Sequence, residues 1–356
     1  MKNSFKDVIV DSSDSILFVL KKMDEVNRKL LIVMEEKRFL SIISIGDIQR
    51  AIINNIDLNT RIKNILRSQI RVAKIGDDIN EIKNNMNLRR NEFMPILSET
   101  GELYDVIFWE DIFQTKFNKS QNKINLPVVI MAGGKGSRLK PITNVLPKPL
   151  IPLREKTIIE EIFSSFSLYG CNDFYVSVNY KADFIEYYLK EQNLPYNISF
   201  FREDKPLGTA GSLYLIKNEI KETFFVTNCD ILIDEDYSEI LEYHRKNSNE
   251  ITIVAALKNY SIPYGVIETG NNGKLVEILE KPDITFKINS GMYILEPNLL
   301  NEIPQNDFYH ITHLINQLLK RDGKIGVFPV SEKSWIDIGN WKDYLRSSKS
   351  LNGENL

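Results

Sequence analysis

Hydrophobic positions change period several times along this chain, and the changes divide it in two. Across residues 15–26 apolar side chains recur every three to four positions, the spacing of one helix face. Residues 30–34 and 39–43 are short apolar runs with charged residues between them, which predicts strand, turn and strand. Residues 46–54 return to helix. The same order recurs at an offset of 64 residues, which sets Asp14 on Asp78, Asp47 on Asp111 and Ile48 on Ile112. The second copy predicts a helix over 79–90, strands over 93–97 and 103–108, and a helix over 110–117. Units of this size cannot bury both faces alone, so two copies should pack as one module. Residues 116–125 are polar, lack apolar period, and read as a linker.

The remainder alternates differently. Val128, Val129, Ile130 and Met131 suffice for one buried strand. A helix over 157–168 carries Ile158, Ile162, Phe163 and Phe166 on one face. Strand, helix and strand follow over 174–178, 182–191 and 198–202, with a further strand over 224–227. Such alternation predicts an α/β fold, a mostly parallel, doubly wound sheet with helices on both faces. Ligands on such sheets bind beyond the carboxyl ends of the strands. The expected organisation is an α+β module over 1–119 (copies at about 1–58 and 59–119) followed by an α/β domain over 120–356.

Composition narrows the function classes. A chain of 356 residues favours two domains over one core. A net charge of −3 gives no broad basic surface for nucleic acid. No apolar run is long enough to cross a bilayer, and the first residues lack the apolar segment of a signal peptide. Cys171 and Cys229 are the only cysteines, which suggests reduced thiols in a cytoplasmic protein.

The chemistry concentrates after Met131. Gly133, Gly134 and Gly136 let the backbone turn sharply and let a ligand approach it. Successive N–H groups there can form an anion-holding nest. Lys135, Arg138, Lys140 and Lys148 add four cations within fourteen positions, as a polyphosphate requires. Pro141, Pro147 and Pro149 stiffen the loop and so hold Lys148 in place. Two familiar phosphate motifs fail. Residues 134–139 end in leucine where a dinucleotide fingerprint needs glycine or alanine, and no Gly-Lys pair precedes Ser or Thr as in a P-loop.

The stretch from Ala132 to Leu150 instead resembles the signature of the sugar-1-phosphate nucleotidyltransferases, A-G-G-x-G-[ST]-R-L-x-P-x-T followed by P-K-P. The likeness runs from about residue 126 to about 348. It implies that Ala132, Gly133, Gly134, Gly136 and Ser137 bind the nucleotide, together with Leu207, Gly208 and Thr209 in a second loop, Pro-Leu-Gly-Thr-Ala-Gly, whose form favours GTP. Gly208 would leave room for something flat, and Thr209 could cap the helix after it. By the same resemblance Arg138, Lys148 and Asp230 are catalytic, and Asp230 and Asp337 hold Mg2+ as the cofactor. Gly265, Glu280, Lys281, Asn289 and Gly291 would meet the sugar phosphate. His310 and His313 share a helix face but lack a carboxylate or cysteine partner, so they read as surface or packing residues.

Ile43-Ser44-Ile45-Gly46-Asp47-Ile48 resembles the end of a CBS motif, so residues 1–119 resemble a CBS pair. In that family Ser44 and Asp47 would grip an adenine nucleotide. Phe108 with Asp111 breaks the pattern in the second copy, and a packing module without ligand stays an equal reading. CBS pairs often dimerise, which implies a homo-oligomer.

Together these features imply transfer of a nucleotidyl group from GTP to a sugar 1-phosphate, with pyrophosphate leaving. The acceptor is not legible in the residues; a CBS pair ahead of this transferase resembles guanylyltransferases of bacterial surface-sugar pathways such as those leading to legionaminic acid, and that resemblance implies glucosamine 1-phosphate first, with mannose or heptose 1-phosphate behind it. Uridylyl or cytidylyl transfer and a decayed nucleotide-sensing regulator are the rivals; the two failed motifs disfavour a kinase or dehydrogenase.

Overall fold

The computed structural model describes residues 5–89, 91–113 and 122–345. The chain divides into two compact units at residues 120 and 121. Position 90 and residues 116–121, expected in a helix and the linker, lie outside the described residues, as does the end of the expected helix over 110–117.

Each repeat of the first unit builds a three-stranded sheet with helices. In the first, Ile9–Asp11 runs parallel to Leu30–Glu35, which turns back through Arg38–Ser44. In the second, Ala73–Lys74 runs parallel to Phe93–Leu97, which pairs with Leu103–Phe108. The sequence pattern missed the leading strand of each sheet, because two or three residues carry no readable period. The helix Ile16–Val26 buries Ile16, Leu17, Val19, Leu20 and Met23, and the Ser15 hydroxyl accepts from the Phe18 N–H at 3.1 Å as its N-cap. The repeats also grip each other: Arg28 pairs with Glu110 at 3.0 Å, and the Lys29 N–H donates to Glu92 at 3.0 Å.

The second unit is built on a seven-stranded sheet. Its order is Asn197–Arg202, Asp173–Val178, Val128–Met131, Phe224–Asn228, Asp283–Leu295, Ile251–Ser261 and Ile325–Val330. Only Asp283–Leu295 runs against the others. Alternation along the opening strand serves two cores: Val128 and Ile130 face one, Val129 the other. The helix Ile158–Ser167 covers the first core through Ile158, Ile159, Ile162, Phe163 and Phe166. The helix Ile311–Lys320 covers the second through Ile311, Leu314 and Leu318. Among the described residues no helix is long and apolar enough to cross a membrane.

Past Leu257 and Ile288 the strands Ile251–Ser261 and Asp283–Leu295 pair, among the described residues, only with each other. They continue into the hairpin Val266–Thr269 and Leu275–Leu279, so a two-stranded arm leaves the sheet at its ligand-binding end.

Candidate functional site

The opening strand ends at Met131, level with Asn228 on its neighbour. The glycine loop follows where the parallel strands stop. Gly136 has φ 61°, and a Cβ there would fall 2.8 Å from the Thr143 methyl and 3.1 Å from Lys148 Cβ. Thr143 Oγ1 donates to the Gly136 carbonyl at 3.0 Å, which ties the loop to the segment leading to Lys148. Around Gly134 the space is open: nothing lies within 4 Å of where a Cβ would stand.

Lys148, between Pro147 and Pro149, starts a helical turn that buries it. Its ammonium donates to the carboxylate of Asp230, just past the Phe224–Asn228 strand. Asp337 reaches the same place by a different route. The short strands Ile231–Ile233 and Trp335–Asp337 pair antiparallel, and the Ile338 N–H donates to the Asp230 carbonyl at 2.8 Å. Burial, and next the Asp230 carboxylate, push the Asp337 carboxyl above the usual aspartate range. One oxygen of Asp337 is buried without a hydrogen-bond partner. Gly339 makes room for Arg138: a Cβ there would lie 2.7 Å from Asp337 Oδ1 and 3.2 Å from an Arg138 guanidinium nitrogen. Arg138, Lys148, Asp230 and Asp337 therefore converge beyond the strand ends. No group of three or more acids, histidines or cysteines suited to a metal occurs among the described residues, so the acidic element is this pair.

The second loop departs from expectation in two ways. Gly208 (φ 78°) does not leave a flat vacancy; a Cβ there would come within 2.8 Å of the Tyr309 carbonyl oxygen, so the glycine serves backbone packing. Thr209 does not cap the turn that contains it. Its Oγ1 accepts from the Ile311 N–H at 3.0 Å, at the start of the helix Ile311–Lys320. The Leu207 carbonyl accepts from the Tyr309 N–H at 2.8 Å, and the Ala210 and Gly211 N–H groups donate to the Tyr309 carbonyl. His310 and His313 belong to that helix start, with the His310 N–H donating to His313 Nδ1 at 3.2 Å.

Glu203 and Gly339 belong to the site and were missed. Glu203 Oε1 accepts from Ser177 at 2.6 Å and would sit 3.0 Å from a Cβ on Gly133, while Oε2 accepts from the Leu207 N–H at 2.9 Å. One carboxylate thus joins the glycine loop to the second loop. Its placement just after the strand predicted over 198–202 was the available signal. For Gly339 the signal was a glycine two positions after Asp337.

The sugar-side residues divide. Asn289 Oδ1 accepts from the Gly291 N–H at 3.1 Å, and Gly291 (φ 89°) would bring a Cβ within 2.5 Å of Asn228 Nδ2, so both adjoin the strand that leads to Asp230. Gly265, Glu280 and Lys281 lie together where the arm passes into its terminal hairpin, all exposed: a Cβ on Gly265 would meet Glu280 Oε2 at 3.1 Å, and the Lys281 N–H donates to the Tyr264 carbonyl.

In the first unit Ser44 and Asp47 form a capping box on the helix Ile45–Ile53. Arg67 adds three bonds, Nε to Asp47 Oδ1 at 2.6 Å and Nη2 to Asp47 Oδ2 and Ser44 Oγ at 2.7 and 2.6 Å; Arg50 also pairs with Asp47. Burial pushes the Asp47 carboxyl up, but the bonds from Arg67 and Ser44 outweigh it and hold it below the usual range.

A glycine cradle at strand ends, faced by paired cations and acids, defines a class, and sequence comparison agrees. The chain belongs to the nucleotidyl transferase family, whose model matches residues 127–354, and a CBS domain model matches residues 4–54. It is 34% identical over 230 residues to mannose-1-phosphate guanyltransferase of Aspergillus oryzae, covering 62% of each chain. It is 33% identical over 227 residues to the mannose-1-phosphate guanylyltransferase catalytic subunit beta of Dictyostelium discoideum, covering 62% of this chain and 63% of that one. The chain thus spans less than two thirds of the length of these curated relatives. Among solved structures it is similar to HddC from Yersinia pseudotuberculosis, with TM-score 0.51, 28% identity and coverage of 64% of this chain and 99% of that one. HddC is also known in complex with GMP-PN.

Proposed function

We propose that the chain transfers a nucleotidyl group from a nucleoside triphosphate, GTP before the others, to a sugar 1-phosphate. The observation that carries this reading is the convergence of Arg138, Lys148, Asp230 and Asp337, with a buried, unpartnered oxygen on Asp337. That oxygen also serves as a fit test for a divalent cation. An unpaired buried carboxylate is costly, and two carboxylates with substrate oxygens suit Mg2+. Asp230 and Asp337 would hold the ion. When bound it would offset phosphate charge during transfer.

In the reaction an oxygen of the sugar phosphate attacks the α-phosphorus. One O–P bond forms, the bond to the β-phosphate breaks, and pyrophosphate leaves. The nucleophile is already ionised at neutral pH, so the site needs position and charge rather than a general base. The backbone of Ala132, Gly133, Gly134, Gly136 and Ser137 would cradle the triphosphate. Arg138 would hold its outer phosphates, and Lys148 would share its charge between Asp230 and the reacting phosphate. Leu207, Gly208 and Thr209 would bound the base, on a loop that Glu203 fixes. Lys281 would carry the acceptor's phosphate, with Glu280, Asn289, Gly265 and Gly291 around the sugar.

The relatives' names and the GMP-PN complex of HddC speak for guanine. The relatives' names also set mannose 1-phosphate beside glucosamine 1-phosphate as acceptor. The buried free thiols of Cys171 and Cys229 speak for a reducing, cytoplasmic setting. The test is pyrophosphate release from four nucleoside triphosphates against glucosamine, mannose and heptose 1-phosphates. Release with GTP and one acceptor is expected; none with any pair ends the reading.

For residues 1–119 we prefer a packing module to an adenine-nucleotide site, because Arg67 already uses both Ser44 and Asp47. Calorimetric titration of the full chain with AMP, ADP and ATP decides; AMP binding with a Kd below about 100 µM, lost in Asp47→Asn, would reverse the preference.

A further inference from the structure

The turn at residues 179–181, just past the Asp173–Val178 strand, breaks the local rules for its own position. Lys181 has φ 55°, in the left-handed region that a residue with a side chain seldom adopts. It also stands as N-cap of the helix Ala182–Glu191, where Ser, Thr, Asp or Asn would accept from the first N–H groups; its own side chain makes no such bond. Its cation sits at the positive end of that helix's dipole. Neither the backbone nor the helix gains from a lysine there, so the gain lies at the far end of the side chain.

That end rests on the segment leading to Lys148. The helix Ile142–Val145 is a single turn and cannot satisfy its own last carbonyls. In a continuing helix the carbonyls of Thr143 and Val145 would accept from positions 147 and 149, but Pro147 and Pro149 carry no N–H. The prolines that fix Lys148 thus leave the turn open at its end. Lys181 Nζ donates to the Asn144 carbonyl at 2.7 Å and to the Val145 carbonyl at 2.6 Å, and the Tyr180 hydroxyl donates to the Thr143 carbonyl at 3.4 Å. A cation suits carbonyls left open at a helix C-terminus, so one ammonium is misplaced for the helix it precedes and well placed for the turn it reaches. The same three residues hold the other two loops of the site. The Tyr180 N–H donates to the Gly133 carbonyl at 3.4 Å, and Asn179 Nδ2 donates to the Glu203 carbonyl at 2.6 Å.

We propose that Lys181 is a positioning residue: it braces the turn Ile142–Val145, and through Thr143 and the chain to Pro147 it fixes Lys148 against the triphosphate. The kinetic consequence rests on the function proposed above; the brace itself does not. Lys181→Gly separates the two, because glycine accepts φ 55° and serves as an N-cap. Relief of the strained φ offsets the lost exposed bonds, so its Tm should stay within about 2 °C of wild type. Its kcat should nevertheless fall about tenfold, since a small misplacement near the reacting centre is costly, while KM for the sugar phosphate stays within about twofold. Lys181→Arg keeps paired donors and should hold kcat within about threefold of wild type. Hydrogen exchange reads the brace without turnover: amides over residues 136–146 should exchange about tenfold faster in Lys181→Gly, while those of Val128–Met131 stay as in wild type. Wild-type kcat in Lys181→Gly, unchanged exchange over 136–146, or a Lys181→Arg as slow as Lys181→Gly overturns the proposal. If the wild type releases no pyrophosphate with any substrate pair, the function falls, and exchange alone decides the brace.

Discussion

Lys148→Met tests the centre of the site without reference to turnover. The Lys148 and Asp230 side chains are only 9 and 12% exposed, and Asp337, already raised by burial and by Asp230, has Lys148 among the few cations that relieve it. Removing the lysine strands two adjacent carboxylates in a site largely shut off from water. Breaking a buried pair from one side costs about 3–5 kcal/mol. For a unit of this size that is a fall in Tm of about 10 °C, read as the calorimetric transition of the larger unit. Lys148→Met with Asp230→Asn removes both charges and should recover most of the loss, since an apolar or neutral substitute for a buried pair is often neutral. The pH dependence has a definite sign. Without Lys148 the Asp337 carboxyl, already held above its unfolded value, loses a cation that lowers it, so the folded variant binds more protons there than the unfolded chain, and its stability falls as pH rises between the two pKa values. The deficit against wild type should be full above the folded Asp337 pKa and should shrink as pH falls through it. Millimolar Mg2+ should restore part of the variant's Tm, by about 2.7 kcal/mol at a hundredfold excess over Kd. A Tm within about 2 °C of wild type, or a double variant no better than the single, would refute the buried-pair reasoning.

Other outcomes follow from the same geometry. Arg138→Ala should lose about 10²–10³ in kcat with an unchanged Tm. Asp337→Asn should lose activity similarly yet melt no lower, because a carboxyl whose pKa is raised by folding destabilises the protein when charged; calorimetry beside the pyrophosphate assay separates the effects. Gly291→Ala forces a side chain to φ 89° and against Asn228 Nδ2 and should cost about 1–3 kcal/mol in denaturant titration. Asp47→Ala should destabilise the first unit by about 1–2 kcal/mol through the lost cap. In the wild type the Asp47 contribution should persist above about pH 4 and disappear as pH falls through its lowered folded pKa, visible in acid titration by circular dichroism.

How far the sequence could be read depended on whether a feature was local. The Val128–Met131 strand and the helix Ile158–Ser167 were legible because burial imposes a period on consecutive residues. The glycine loop was legible because its glycines, proline-fixed lysine and Thr143 act on one another within a few positions. Thr209 was misread for the opposite reason: its partner, the Ile311 N–H, lies 102 positions away, and the nearest helix in sequence was the wrong one. The two acids differ in the same way. Asp230 follows a central strand held on both sides by neighbours, whereas Asp337 is set by a three-residue strand paired only with Ile231–Ile233. That pairing contributes little to the sheet and much to the site. A substitution that unpairs Trp335–Asp337, such as Ile336→Pro, should therefore leave the seven-stranded core standing while it removes one of the two carboxylates from the cradle.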